Sequence, residues 1–554
     1  MSAAAGLRQT GRRLRAGPSF LHGFSGHIPE SLVVAPQDLH TTDPTRAEEF
    51  YRGSYVLAGK SVEAGGTSPF LLNDVDPEWR RVLHEFHWIR HLSASEDSLA
   101  NTHARAMVTD WVEHFGRSHD EQVWNVETVS RRLISLLCHS VQILTGAEYE
   151  FYRLFMRSLG AHVRFLRRHG SSAPDGMPRL MAQIALNYAS VCHSGQRKSL
   201  ASVKGRLDAE LDRQIYSDGG HVSRNPALII EILALLLPLR QSIIAIGETP
   251  SASLLSSIER MFPALRFFRM GDGSIARFNN AGASKYDLIA TLLRYDEALG
   301  QPSNDASQSG YQRMVKGNAI VLQDTGEPPT GELSATAHAG CLSFEFSDGL
   351  ECFVVNCGVP ESFTQNTKPL WRSTAAHSTA VFNETSSCKF DDGSETSRYL
   401  GGQVFLNQLK VASERKDTNS GCHIAAQHRG YYRDFGFCHH RDLMLLDEGK
   451  LFQGKERFVD LSGEPVKYAT HDDFAIRFHL HPDVELLRDK SSGGIVLRSR
   501  SGAQWQFTCD QCSVDVEESV FFPGVGGSTK AVQIVLRGLA VKTPEVDWVF
   551  RKLT

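Results

Sequence analysis

A chain of 554 residues is too long for one ordinary hydrophobic core, so two large domains are expected. With 41% hydrophobic and 22% charged residues it has the make-up of a soluble globular protein. A formal net charge of −4 leaves no basic excess to suit nucleic acid, and ten cysteines are too sparse for a disulfide scaffold.

Residues 1–75 read as irregular, with Gly and Pro scattered throughout. Arg8, Arg12, Arg13 and Arg15 make a basic start, read as a frayed, solvated end. Residues 16–30 hold no clean apolar segment, so no secretory signal is visible. From 76 to 300 apolar residues recur three and four apart, which predicts a helical domain. The segments are Phe86–Leu92, Ala104–Phe115, Val126–Leu144, Glu148–His169, Pro178–Val191, Lys198–Ile215, Pro226–Ile246, Ala252–Phe268 and Tyr286–Leu299. Breaks fall at Gly170, Gly195, Gly219-Gly220, Gly247 and Gly271. Helices joined by short links suggest an array of helical hairpins, an incomplete α/α toroid. The longest apolar run, Leu228–Leu237, is interrupted by Glu231 and stopped by Pro238, which reads as a buried helix and no membrane span.

Residues 301–312 are polar and turn-rich and read as a linker. From 313 to 554 short strand-like runs alternate with Gly, Asp, Ser and Pro, without intervening helices. Such a pattern implies an antiparallel β-sandwich.

Chemistry is offered first by the junction Asp218-Gly-Gly-His-Val-Ser-Arg-Asn-Pro226. Helix capping accounts for Asn225 and Pro226 but leaves His221 and Arg224 unexplained. A positive helix end beside an arginine would attract a carboxylate. Gly271–Asn280, with Arg277 and Asn279, reads either as a surface loop or as a second lining of the same cleft. In the β half, histidines gather at His377, His428, His439-His440 and His479-Leu-His481. His377 heads a strand expected over Ala376–Phe382, and His479 and His481 share a strand face. Three of these groups meeting, with Asp391 or Asp392, would bind a divalent metal, while ordinary histidines are the open alternative. Cys509-Asp-Gln-Cys512 and Cys438 read as buried reduced thiols.

On these motifs the chain resembles the heparinase II/III-like polysaccharide lyase family, in particular a branch from alphaproteobacteria whose substrate is not implied. The likeness rests on the helical-then-β order, the Asp218–Pro226 junction, Thr374-Ala-Ala-His-Ser-Thr379, the segment from Gly430 to Arg441 and Arg477-Phe-His-Leu-His-Pro482. It implies an α/α toroid followed by a β-sandwich, and β-elimination on a uronic-acid-containing polysaccharide bound between them. Cationic or amide donors neutralise the uronate carboxylate so that a Tyr or His can remove the adjacent proton. The resemblance puts His221, Arg224 and Asn225 in the neutralising role and Tyr431 or His428 in the acid/base role. Arg277, Asn279 and His481 become substrate-binding candidates. One zinc or calcium ion would fall on His377, His440 and Asp391; no organic cofactor is implied. The partner is an acidic polysaccharide, with no nucleic acid and an open oligomeric state. Family members work in the cell envelope or periplasm, whereas the missing signal leaves a cytoplasmic location as the alternative. Two departures bear on activity. Ala375 stands where many members carry the first His of a His-x-His pair. Leu228, Ile229 and Ile230 stand where active lyases carry a Tyr, although Asn187-Tyr188 could substitute. A degenerate lyase that binds acidic glycan without cutting it is therefore the second reading.

Overall fold

The computed structural model describes residues 30–94, 98–118, 120–194, 197–297, 302–361, 367–390, 409–488, 494–524 and 527–553. The start of the described chain is more ordered than the expected irregular segment. Residues 30–43 run along the helical domain, where Val33 N–H donates to the Cys192 carbonyl at 2.8 Å. A helix, Pro44–Tyr51, follows, with Asp43 accepting from Thr45 N–H as its cap and Pro44 opening it. Then comes a hairpin of β1 (Ser54–Leu57) and β2 (Lys60–Glu63), whose Tyr55 and Leu57 are buried. Strands of four residues are too short to show a period in sequence, which is why they were not expected.

The toroid is built from Pro77–Glu85, Ser98–Phe115, Val126–Cys138, Tyr149–His169, Met177–Cys192, Arg197–Gln214, Ala227–Ala245, Ala252–Phe267 and Tyr286–Leu293. Most bounds fall within a residue or two of the periodicity. Ser98–Phe115 begins six residues before the expected Ala104, Tyr286–Leu293 ends short of the expected Leu299, and two further segments differ for local reasons. The stretch expected as one helix over Val126–Leu144 breaks at His139 into Val126–Cys138 and Ser140–Leu144. Phe86 takes a left-handed conformation (φ 61°) and ends Pro77–Glu85, so the next turn tightens into a 3-10 helix, His87–Ala94. Ala227–Ala245 continues through Pro238, as the expected segment Pro226–Ile246 does, and the Ser242 hydroxyl donates to the Pro238 carbonyl at 2.8 Å. By length and composition this helix could cross a membrane, and 61% of its apolar window is buried inside the fold.

Two antiparallel sheets form the sandwich. One orders β14 (Glu485–Arg488), β15 (Ile495–Arg498), β16 (Gln504–Cys509), β19 (Glu545–Lys552), β12 (Leu451–Val459), β11 (Cys438–Leu446), β10 (Gly421–His428) and β9 (Val411–Asp417). The other orders β17 (Ser513–Phe521), β18 (Thr529–Leu539), β13 (Asp473–Leu480), β7 (Glu351–Val355), β6 (Phe344–Asp348), β5 (Ala319–Asp324), β4 (Tyr311–Lys316) and β3 (Asp305–Ala306), with β8 (Ala380–Phe382) paired to β13. Phe344, Phe346, Phe452, Phe478, Trp505, Trp548 and Phe550 fill the space between the sheets as an aromatic core. The stretch expected as a linker already carries β3 and the first residues of β4.

Candidate functional site

The junction after Arg197–Gln214 is a clamp onto the sandwich. Asp218 accepts the backbone N–H and the hydroxyl of Ser309, both at 2.7 Å. Both glycines are required by close approach: a Cβ on Gly219 would lie 2.0 Å from the Arg260 carbonyl, and one on Gly220 1.8 Å from Ser309 Oγ. Arg224 has a left-handed backbone (φ 60°), unusual for so bulky a residue, and its guanidinium fixes it there. It donates to the carbonyls of Ser309, Gly310, Gly326 and Glu327 and pairs with Asp324 at 2.5 Å, with Tyr311 beneath it at 4.7 Å. Burial opposes its charge, but Asp324 outweighs burial and raises its pKa. His221 is buried, its Nδ1 accepting from Ser223 N–H and its Nε2 facing Gln214 Oε1 at 2.9 Å. Burial lowers its pKa to about 4. Asn225 accepts from Ala227 N–H at 2.9 Å, so it serves the helix end as capping predicts.

Arg277 and Asn279 lie in the same seam, and are neither a surface loop nor the wall of an open cleft. Arg277 pairs with Glu345 at 3.1 Å, the two being 5% and 0% exposed. Glu345 also accepts the N–H groups of Arg277 and Asn356. Asn279 donates to the Tyr311 hydroxyl at 2.7 Å and accepts from His338 N–H at 3.2 Å. His481 sits at the rim, its ring 5.1 Å from Phe521, over which Arg277 lies at 4.9 Å.

From the sandwich side, His377 lies in the turn before β8, not at a strand head. Its Nδ1 donates to the Ser373 carbonyl at 2.7 Å and its Nε2 faces His338 Nδ1 at 3.1 Å. Arg224, Asp324, Asn279, His338 and His377 are thus one chain of polar contacts across the seam. Tyr431 is buried beside Thr374 and donates its hydroxyl proton to the Ala380 carbonyl at 2.7 Å. Burial raises its phenol well above the ordinary range. Of the residues expected to face each other, Arg224 and His377 are joined by this packed chain of contacts, whereas His221 and Tyr431 take partners outside it.

His428 belongs to a relay inside the sandwich. Its Nδ1 accepts from Gly430 N–H, which leaves Nε2–H to donate to His439 Nδ1 at 3.3 Å. His439 Nε2 then donates to Glu456 at 2.6 Å, and Glu456 also accepts from Arg441 and Trp548. The relay uses the one lone pair that would make His428 a base. His440 alternates to the other face of β11, opposite Gln427 and Arg457, and is half-buried there. The expected metal ligands His377 and His440 therefore do not come together, and Asp391 lies outside the described residues. Among the described residues the sandwich offers no three-ligand group, so the implied sandwich metal does not fit here and no step is derived through it.

Asp324, Glu345 and His338, the partners that hold this seam, were not expected. Asp324 and Glu345 sit in short strands and His338 in the loop between them, and each meets its partner from 39 to 100 residues away in sequence, so no spacing points to it.

Residues 298–549 match the family described as heparinase II/III-like, C-terminal. Over 540 residues, 95% of this chain and 90% of the relative, the chain is 28% identical to "FtsZ-localized protein C" of Caulobacter vibrioides (strain NA1000 / CB15N). Among solved structures, heparinase III superposes with a TM-score of 0.72 at 13% identity, covering 97% of this chain and 89% of the other. A heparan sulfate lyase from Pedobacter heparinus gives 0.59 at 16% identity, covering 100% and 87%. The heparinase II/III-like match thus lies in the C-terminal half of the chain, and the toroid-plus-sandwich fold runs along its length.

Proposed function

We propose that this chain is a lyase-fold protein that binds acidic glycan without cleaving it. One observation carries the reading: the groups an eliminase would aim at its substrate are already committed to internal partners. Removing the proton beside a uronate carboxylate needs a cation or amide left for that carboxylate, and a base with an open lone pair. Arg224 and Arg277 instead neutralise Asp324 and Glu345, and Tyr431 and His428 are sealed in the sandwich. Ala375 and Leu228–Ile230 point the same way, since they replace the His and Tyr of active relatives. The test pairs two measurements on heparan, hyaluronan, alginate and glucuronan. Retention on the immobilised polymer without an unsaturated, ultraviolet-absorbing product is expected. Product formed by the wild type and lost in Tyr431→Phe would restore the lyase reading.

A second reading, localisation with FtsZ, is favoured by the match to FtsZ-localized protein C over 95% of the chain. It predicts that a fluorescent fusion in the native host follows FtsZ and that the purified chain co-sediments with FtsZ polymer. A fusion spread evenly around the envelope, with no co-sedimentation, would count against it.

A further inference from the structure

Away from the seam, one group of side chains has the donor set of a transition-metal site. Asp38 and His40 lie two residues apart on the stretch 30–43, and His87 opens the 3-10 helix beside them. One ligand atom from each lies within 4.8 Å of the other two. The separations are 2.7 Å from Asp38 Oδ1 to His40 Nδ1, 3.4 Å from His40 Nδ1 to His87 Nε2 and 4.0 Å from His87 Nε2 to Asp38 Oδ2. Nitrogen and oxygen ligands about 2.0–2.1 Å from a tetrahedral zinc ion stand about 3.3 Å from one another, and these separations, which reach both oxygens of Asp38, lie on either side of that value. The imidazoles are perpendicular (87°, centroids 4.4 Å apart), so the rings do not stack.

Hydrogen bonding serves Asp38, whose Oδ1 also accepts the His40 backbone N–H at 3.0 Å, but serves His87 poorly. A single proton on His40 Nδ1 satisfies Asp38 and leaves His87 Nε2 only a 3.4 Å share of it. The second carboxylate oxygen of Asp38 faces His139 Nε2 at 3.3 Å, and His139 Nδ1 is held by Ser93 Oγ at 3.0 Å. Such outer pairing is what orients a ligating carboxylate. The side chains of Asp38, His40 and His87 are 14%, 16% and 32% exposed, so solvent reaches the group from the His87 side.

We infer that Asp38, His40 and His87 bind one divalent transition metal of the zinc class through two imidazoles and a carboxylate, with a fourth position open to solvent. On binding, the His40 ring proton moves from Nδ1 to Nε2, the ring stays neutral, and the Nδ1 lone pair turns to the metal. The site shares no residue with the sandwich metal that the family resemblance implies.

The experiment uses the full-length chain, stripped of metal, in a Cys509→Ser/Cys512→Ser background so that the CxxC thiols do not compete. Titration with Co²⁺ should reach one equivalent and give a visible ligand-field spectrum without a sulfur charge-transfer band, displaced by Zn²⁺. His40→Gln and His87→Gln should abolish the spectrum while the circular dichroism is unchanged. His139→Gln should weaken binding on the order of 10–100-fold. A chain that takes up no stoichiometric Co²⁺ overturns the inference, as does a spectrum that survives both ligand substitutions. The first of these is read on the unsubstituted ligand set, so it holds even if a variant misfolds.

Discussion

Acid should undo this protein well above the usual carboxylate range, because its seam is built on neutral histidines. Burial depresses the pKa of His221 and His377 to about 4 and of His479 to about 3. All three are nearly inaccessible, at 2%, 2% and 3% exposure. In the unfolded chain each titrates near 6.5, so below that pH the unfolded state takes up protons that the folded state refuses. Their contribution to stability is therefore complete above about pH 6.5 and is lost as the pH falls through their folded values. At about pH 5 each is unprotonated when folded and almost fully protonated when unfolded, which costs about 2 kcal/mol per residue at 1.36 kcal/mol per pH unit. The three together amount to about 6 kcal/mol, within the whole stability of an ordinary domain at about 5–15 kcal/mol. Urea unfolding followed by tryptophan fluorescence at about pH 7.5, 6 and 5 reads this directly. The midpoint should fall steeply across that interval, and His221→Gln should remove about a third of the fall. A midpoint that stays level down to about pH 5 would refute the argument that these rings are held neutral.

Three further outcomes follow from single contacts. Arg277→Ala strands the fully buried Glu345 and should cost about 3–5 kcal/mol in urea unfolding, whereas Arg277→Met with Glu345→Leu should cost far less. Gly340→Ala would place a Cβ 2.5 Å from His377 Cδ2, and displacing that ring from Ser373 and His338 should cost about 1–3 kcal/mol, read as a lower Tm. The Cys509 thiol is drawn down to about 7 by its hydrogen bond to Cys512, and it is half-buried where Cys192, Cys341, Cys357 and Cys388 are buried. Alkylation at neutral pH, mapped by peptide mass, should therefore mark Cys509 before those four, and Cys512→Ala should slow it.

What could be read in the sequence follows the range of the interaction that makes it. Helix bounds such as Met177–Cys192 and Ala252–Phe267 were legible because a buried face repeats every three to four residues and a cap lies next to it. Strands β9, β10, β12 and β19 were not. They pair with neighbours chosen by the sheet, and β9 in particular is largely exposed and charged, without alternation. The same limit governs the site. Arg224, Arg277, Asn279 and His377 were all named as candidates, and they do share one seam. Their partners Asp324, Glu345 and His338 are ordinary residues of strands and turns, found only once the chain folds. The trio Asp38, His40 and His87 was passed over for a related reason: two of its members lie in a stretch without any periodicity.

The partners decide between cutting and holding. An arginine can neutralise a substrate carboxylate only if no protein carboxylate already does so, because a displaced Asp324 or Glu345 would be left charged in a site with almost no solvent. Expelling either would cost several kcal/mol before any chemistry began, more than one new pairing with a partly solvated uronate would return. The cations that give the Asp218–Pro226 and Gly271–Asn280 segments a lyase-like look therefore serve as rivets between toroid and sandwich. A chain that uses its arginines in this way keeps the two-domain frame rigid.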